Sequence, residues 1–529
     1  MTQVNQQSYI AGEWVSPTGP AFCAQNPVTS ELLSPFYNCQ TQEVTTATHA
    51  AWSAFLQFSR ISPIKRSEFL STIAEEIQAL GDDLLTLCNE ECGLGIPRLT
   101  GERARTLNQI NAFAKIVKDS SWVQASIDTA EPQRQPLPKP DLRKMLKPIG
   151  PIAVFGASNF PFAFGALGGD TISALAAGNT VVLKGHPTHP TTNALLARAI
   201  DKAITKCGMP NGVFSLLQGN EISLSEQLVT DPLIQGVGFT GSLQGGRAIM
   251  NAAAKRDTPI PVFAEMGSTN PMFFTHKVLQ QDANNLATKL AASVCMGTGQ
   301  FCTSPGIIVI EKHPDFIEAF TQGLNSQPKT PMLNKNIGTA FVAGVKDFIA
   351  YNDVQWLNKK DNALLEPLMP ASILLSTSAT AFLNNEAMQN EIFGPATLLV
   401  ECDNEQQMLA VANVLKGNLT SSIHATEQDQ GLIAELLPVL EQKAGRIIFN
   451  GFPTGVEVCG SQHHGGPYPA SSNGASTSVG IDAIHRFAKF VAYQDTPAYL
   501  LPPELADENP RKIVRRINGC FTASPVKQS

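Results

Sequence analysis

Residues 148–184 read PIGPIAVFGASNFPFAFGALGGDTISALAAGNTVVLK. The apolar run Ile152–Phe155 is bounded by Pro151 and Gly156 and is too short for a helix, so it reads as a buried strand. Residues 162–177 carry helical spacing, and 180–183 form a second apolar run of strand length. Strand, helix and strand in that order make the unit from which a parallel sheet is wound. Residues 148–169 hold no charge over 22 positions, but three prolines and five glycines among them would break a membrane-spanning helix. The stretch is therefore a strand, a tight loop and the start of a packed helix.

The same alternation continues outward from this unit. Helical spacing returns at 190–204, 223–229 and 243–254, and strand-length runs stand at 213–217, 236–239 and 261–264. The fold class is α/β, with a doubly wound parallel sheet. Right-handed crossovers place the loops that follow its strands on one edge, where ligands bind. Upstream, 46–79, 82–92 and 100–117 are helical by spacing. Residues 125–147, with prolines at 132, 136, 138 and 140, form an extended excursion. A second α/β region runs from 265 to about 480, with helices at 283–296 and 314–323 and strands at 306–310 and 396–400. Residues 487–493 alternate like a strand able to pair with a partner surface.

The 529 residues are 43% hydrophobic and 16% charged, and Lys+Arg 38 against Asp+Glu 45 leaves a net charge of −7. That balance excludes the basic footprint of a nucleic-acid or anionic-membrane binder and argues against disorder. A chain of this length holds about two to four domains. Its opening, MTQVNQQSYI, has neither the basic nor the apolar region of a secretion signal. The ten cysteines show no C-x2-C pair and no framework spacing. A cytoplasmic protein with reduced thiols and no metal is expected.

The loop after the first strand is GASNFP and not G-x-G-x-x-G. Phosphate recognition falls instead on FTGSLQGGR, where Gly241 and Gly246 flank a helix start and Ser242 stands at its N-cap. Free N–H groups and the helix dipole there favour a pyrophosphate. Such turns are common in α/β proteins, so this one takes its meaning from its neighbours. Cys302, in the glycine-flanked loop MGTGQFCTSPG, is either an inert thiol or a nucleophile raised into a cleft. Cys295, within the preceding helix, fits the inert reading better. Glu265 ends an apolar strand, as a general base at the sheet's carboxyl edge or as an ion-paired surface group. Asn159 could turn an amide N–H toward an oxyanion or serve as a turn residue before Phe160-Pro161. A thiolate, an amide donor and a carboxylate beside a dinucleotide site suit aldehyde oxidation.

Six segments, GASNFPF, VVLKGHP, FTGSLQGGR, FAEMGSTNP, MGTGQFCTSPG and EIFGP, stand in the order found in the aldehyde dehydrogenase superfamily, which the chain resembles over nearly its full length. GGDTISALAAGNTVVLKGHPTHP, NGFPTGVEV and HHGGPYPAS look like its bacterial branch of α-ketoglutaric semialdehyde (2,5-dioxovalerate) dehydrogenases and a long-chain fatty aldehyde dehydrogenase. The resemblance implies an aldehyde dehydrogenase-like architecture. Segments 1–124 and 148–264 would form a dinucleotide-binding domain and 265–480 a second α/β, catalytic domain. Segments 125–147 and 481–500 would form a small β oligomerisation arm, with 501–529 a C-terminal extension. A homodimer or homotetramer built through the arm follows from the same resemblance.

It also implies roles. Cys302 would attack the aldehyde, Asn159 and the Cys302 backbone N–H would hold the oxyanion, and Glu265 would activate water against the thioester. Glu265 also separates the chain from CoA-acylating relatives, which typically lack this base. Phe155, Ser158, Lys184, Gly241, Ser242, Gly246, Met266, Glu391 and Phe393 would hold NADP or NAD. NAD-preferring members usually carry a Glu three residues after the lysine; Pro187 stands there, removing repulsion against a 2′-phosphate. No arginine lies in Gly219-Asn220-Glu221 to strengthen that preference. Arg105 would share a helix face with Gln109 and Phe113, either in the substrate tunnel, pairing with a distal carboxylate, or toward solvent. His464, after His463, either assists proton movement near the thiol or is a loop residue. The expected reaction turns a small-molecule aldehyde, first α-ketoglutaric semialdehyde, into its acid, here 2-oxoglutarate. A medium or long-chain aliphatic aldehyde is the alternative. A non-catalytic nucleotide-binding relative is the distant one, since it would have lost one of Cys302, Glu265 and Asn159.

Overall fold

Three sheets of five or more strands organise the chain in a computed structural model that describes residues 6–359 and 365–526. Residues 1–5, 360–364 and 527–529, parts of the segments 1–124, 265–480 and 501–529, lie outside the described residues. The first sheet runs, edge to edge, Val262–Glu265, Gly236–Thr240, Ile152–Phe155, Val181–Lys184, Phe214–Leu217, Ser8–Ile10 and Glu13–Val15. Its first five strands are parallel. The chain winds from Ile152 outward to Phe214, then crosses back to Gly236 and Val262. The order reverses between the Ile152 and Gly236 strands, and a ligand cleft opens at the carboxyl ends beside such a reversal.

The second sheet has the order Gln355–Trp356, Ile373–Ser378, Ala396–Cys402, Ile307–Glu311, Met272–Phe274, Asn418–His424 and Ala444–Phe449, parallel except at its Gln355 edge. The third sheet joins Ala488–Gln494, Leu142–Pro148, Ser126–Asp128, Arg515–Ile517 and Cys520–Thr522. The C-terminal segment set apart at 501–529 thus gives two strands to the same sheet as 125–147 and 481–500. Among the described residues no helix is long and apolar enough to cross a membrane.

Two sequence expectations change. The helical spacing at 46–79 is broken into Thr41–Phe58 and Pro63–Ala79, because Ser62 caps the second helix and Pro63 begins it. The helix expected over 162–177 exists only as Gly169–Ala177, preceded by turns. Phe162 and Ala163 donate their N–H groups to the Glu102 carboxylate, at 2.8 and 3.0 Å, and not to a helical ladder. The backbone also folds so tightly that a Cβ on Gly165 would lie 1.8 Å from the Pro161 carbonyl oxygen.

Candidate active site

Both large sheets send residues to one place. Glu265 ends the Val262 strand of the first sheet, and Asn159 lies in the loop after its Ile152 strand. Cys302 lies in the loop that leads to the Ile307 strand of the second sheet. That loop leaves its preceding helix with three successive left-handed residues, Gly297, Thr298 and Gly299, at φ of 57°, 60° and 65°. Only glycine fits at 299, where a Cβ would stand 2.1 Å from the Gly394 carbonyl oxygen. Asn270 fixes the loop from below, its amide donating to the carbonyls of Cys302 and Ser304, both at 2.9 Å.

Cys302 Sγ lies 3.4 Å from His464 Nε2, and the same nitrogen lies 3.0 Å from Glu265 Oε1. Ser478 donates its hydroxyl to the other oxygen of Glu265. Glu265 is 4% and His464 2% exposed, so the pair is shielded from water. Burial works to raise the Glu265 carboxyl, but the electrostatic pull of His464 and hydrogen bonds from His464, Ser478 and Cys302 outweigh it and hold the group below its usual range. Burial, and then the Glu265 charge, push the Cys302 thiol well above its ordinary value, while Arg105 pulls the other way. The thiol therefore rests protonated, with an imidazole beside it to take the proton.

Asn159 is buried and donates its amide to the Gln300 carbonyl at 3.0 Å, two residues before the thiol. Arg98 holds the Asn159 backbone carbonyl at 2.6 Å, and its guanidinium lies 5.0 and 4.7 Å from the rings of Phe160 and Phe301, which themselves meet edge to face. Arg105 lies about two turns further along the same helix, Ile96–Asp119, on the face with buried Gln109 and Phe113. Its Nη1 is buried with no hydrogen-bond partner among the described residues, and the guanidinium lies 5.7 Å from the Phe164 ring. Burial holds Arg105 below its usual range against the pull of Glu102, Cys302, Glu265 and Glu457. Phe160, Phe164, Val456 and Val458 form an apolar cluster beside it.

The residues expected at the dinucleotide sit on the switch-point edge. Phe155 and Lys184 end their strands, Ser158 follows the first, and Gly241 follows the Gly236 strand. Ser242 is the N-cap of Leu243–Ala254, accepting from the Gly245 N–H at 3.1 Å. The cleft is cut close: a Cβ on Gly246 would lie 2.5 Å from Met266 Sδ, and one on Gly267 2.5 Å from Glu391 Oε2. Glu391 and Phe393 reach this edge from the second sheet and line a cavity with Gly299 and Phe301. Burial pushes the Lys184 amine down to about 8. An exposed helix N-terminus, a partly buried cation and glycines that leave room for backbone approach fit an anionic dinucleotide. Pro187 leaves this edge without a carboxylate at that position; His186 bonds Thr188 Oγ1 at 2.7 Å instead.

Sequence reasoning found Cys302, Glu265, Asn159 and His464 but gave no part to Ser478, Asn270, Arg98 or Glu102. GSTNP, quoted as a motif, already contained Asn270. Nothing local marks Ser478, whose contact spans 213 positions.

The geometry defines a thiol–imidazole–carboxylate site beside a dinucleotide cleft, and the chain belongs to the aldehyde dehydrogenase family, whose sequence profile matches residues 14–343. It is 42% identical over 522 residues to "Alpha-ketoglutaric semialdehyde dehydrogenase 2" of Azospirillum brasilense, covering 98% of this chain and 99% of that one. It is 40% identical over 527 residues to "Alpha-ketoglutaric semialdehyde dehydrogenase" of Acinetobacter baylyi, covering 99% and 100%. Its fold matches the crystal structure of an E. coli NADP-dependent enzyme with a TM-score of 0.78 at 21% identity, over 93% of this chain and 98% of that chain.

Proposed function

We propose that the protein oxidises α-ketoglutaric semialdehyde to 2-oxoglutarate with NAD(P), Cys302 being the nucleophile. The observation that carries the chemistry is Cys302 Sγ at 3.4 Å from an imidazole nitrogen that itself lies 3.0 Å from Glu265. His464 takes the thiol proton, and the imidazolium so formed is held by Glu265. The thiolate attacks the aldehyde carbon, and the remaining amide N–H of Asn159 with the Cys302 backbone N–H meets the oxyanion. NAD(P), when bound, would accept the hydride that leaves the former aldehyde carbon, so that the thiohemiacetal becomes a thioester; Lys184, the Ser242 turn, Met266, Glu391 and Phe393 would hold it. Glu265 then takes a proton from water as its oxygen attacks the thioester carbon. The C–S bond breaks, the thiolate leaves, and the acid departs.

The substrate reading rests on full-length likeness to two α-ketoglutaric semialdehyde dehydrogenases, and the buried, unpartnered Nη1 of Arg105 supports it as a donor available to a distal carboxylate. The apolar cluster around Phe164 and Val458 favours a second reading, a medium or long-chain aldehyde. Initial rates separate them. The semialdehyde should give the highest kcat/KM, and Arg105→Leu should lower it about 10- to 100-fold more than it lowers kcat/KM for an aliphatic aldehyde, the worth of a charge-assisted hydrogen bond beyond the loss of the Arg105 charge near Cys302. Highest efficiency with the aliphatic aldehyde, unaffected by Arg105→Leu, would retire the semialdehyde.

The same proposal includes a homodimer or homotetramer joined through the edge strand Ala488–Gln494, whose Phe490 is 49% exposed. Sedimentation of wild type and Phe490→Asp tests it, the variant being expected to shift toward monomer. All ten cysteines are free thiols, which supports a cytoplasmic setting.

A further inference from the structure

Cys302 Sγ, His464 Nε2 and a Glu265 carboxylate oxygen all lie within 4.8 Å of one another. The measured edges of that triangle are 3.4 Å from sulfur to nitrogen and 3.0 Å from nitrogen to oxygen. Zinc bonds thiolate sulfur at about 2.3 Å and nitrogen or carboxylate oxygen at about 2.0–2.2 Å, in a tetrahedron whose corners therefore stand about 3.3–3.6 Å apart. The sulfur–nitrogen edge is about 0.1–0.2 Å and the nitrogen–oxygen edge about 0.3–0.5 Å shorter than those of a zinc-binding face, and the sulfur–oxygen edge is within 4.8 Å, so small side-chain shifts complete the face.

We propose that Cys302, His464 and Glu265 form an inhibitory site for Zn2+, with water in the fourth position. The donor set of sulfur, nitrogen and oxygen suits zinc and not magnesium or calcium, which take oxygen ligands. Ser478 holds the second oxygen of Glu265, so the carboxylate is already oriented. His464 Nδ1 is buried with no hydrogen-bond partner among the described residues, so the second hydrogen bond that usually strengthens a ligating imidazole is missing. Outer-shell partners of this kind are worth about 10–100-fold in affinity. The Arg105 and Arg446 guanidiniums, whose fields reach Cys302, weaken a cation further. The site thus loads and unloads and does not keep a resident ion. On binding, the thiol proton leaves to solvent and the sulfur bonds the metal, so the nucleophile is masked while the ion stays. Spacing along the chain could not announce this trio, because His464 lies 162 positions from Cys302 and 199 from Glu265.

The three ligands stand together whichever aldehyde the protein oxidises. Its test uses the full-length, chelator-treated protein with Co2+ as a spectroscopic probe and Zn2+ as the inhibitor. Wild type should show a thiolate-to-cobalt charge-transfer band that disappears in Cys302→Ala, where the other cysteines remain. Zn2+ should slow alkylation of Cys302 by iodoacetamide, read by peptide mass spectrometry, about tenfold or more, and EDTA should restore the rate. The Zn2+ concentration needed for protection should rise about tenfold or more in both His464→Phe and Glu265→Gln. An alkylation rate indifferent to Zn2+, or protection unchanged in those two variants, would overturn the site. Neither readout needs turnover, so failure here and failure of the aldehyde reading are told apart.

Discussion

A neutral imidazole carries one proton, and His464 offers a single nitrogen to both Cys302 and Glu265. Protonated at Nε2 it donates to the carboxylate; protonated at Nδ1 it accepts from the thiol. Only the second arrangement can take the thiol proton, and once Nε2 carries that proton it donates to Glu265, so thiol activation precedes water activation. Replacing His464 by Gln keeps a polar group but removes the proton acceptor. The pH at which Cys302 reaches half its maximal alkylation rate should move upward in His464→Gln, because the thiol is already held high by burial and loses its base. A rate profile unchanged from wild type would leave His464 a packing residue. At the cofactor edge, burial pushes the Lys184 amine down to about 8, and its charge is lost as pH rises through that value. The KM of the anionic nucleotide should climb above pH about 8 in wild type and stay flat there in Lys184→Met. At this scale Cys302, Glu265 and Asn159 were legible because each sits in a short motif of distinctive composition. Ser478 was not, because a serine among serines gains meaning only from a carboxylate 213 positions away.

The loop carrying Cys302 is an element whose shape is imposed by other elements. Asn270 holds two of its carbonyls, and Asn418 in turn accepts from the backbone N–H groups of Thr269 and Asn270, at 2.9 and 3.0 Å. Asn270→Ala would leave two carbonyls without a donor, at a cost of about 1–3 kcal/mol for each that stays buried. Thermal unfolding should show the loss of stability, and steady-state kinetics should show kcat falling more than the nucleotide KM rises, because the Ser242 turn and Lys184 lie on other strands. The parallel strands Ile152–Phe155 and Val181–Lys184 were readable as apolar runs, being buried on both faces. Asn418–His424 was missed although every residue in it is buried. Its NLTSSIH is polar because Thr420 and Ser421 spend their hydroxyls on Asn270 and the Pro271 carbonyl. The helix expected at 162–177 failed for a related reason: Glu102 supplies the acceptors that a helix would have used.

Across the whole molecule, the C-terminal segment is tied down by two arginines. Arg143 bonds the Leu505 carbonyl and Asp507, both at 2.7 Å, and Arg515, wholly buried, donates to the carbonyls of Glu504, Ala506 and Asp507. Arg515→Met should free that segment, so limited proteolysis should cut first within residues 501–526, while wild type resists there. The two α/β regions were legible as alternating periods, but the ends were not. Ser8–Ile10 pairs with a strand about two hundred residues on, and Arg515–Ile517 pairs with Ser126–Asp128. Three-residue strands carry too little period to be recognised without their partners.

The central claim is that Cys302 carries the acyl group and Glu265 activates the water that removes it. Glu265→Gln, incubated with α-ketoglutaric semialdehyde and NADP and then denatured, tests both parts by mass spectrometry of the Cys302 peptide. A thioester on Cys302 approaching one per chain, with a burst of nucleotide reduction and little further turnover, is the predicted result. Undiminished steady turnover with no adduct, or an adduct on another cysteine, would contradict it.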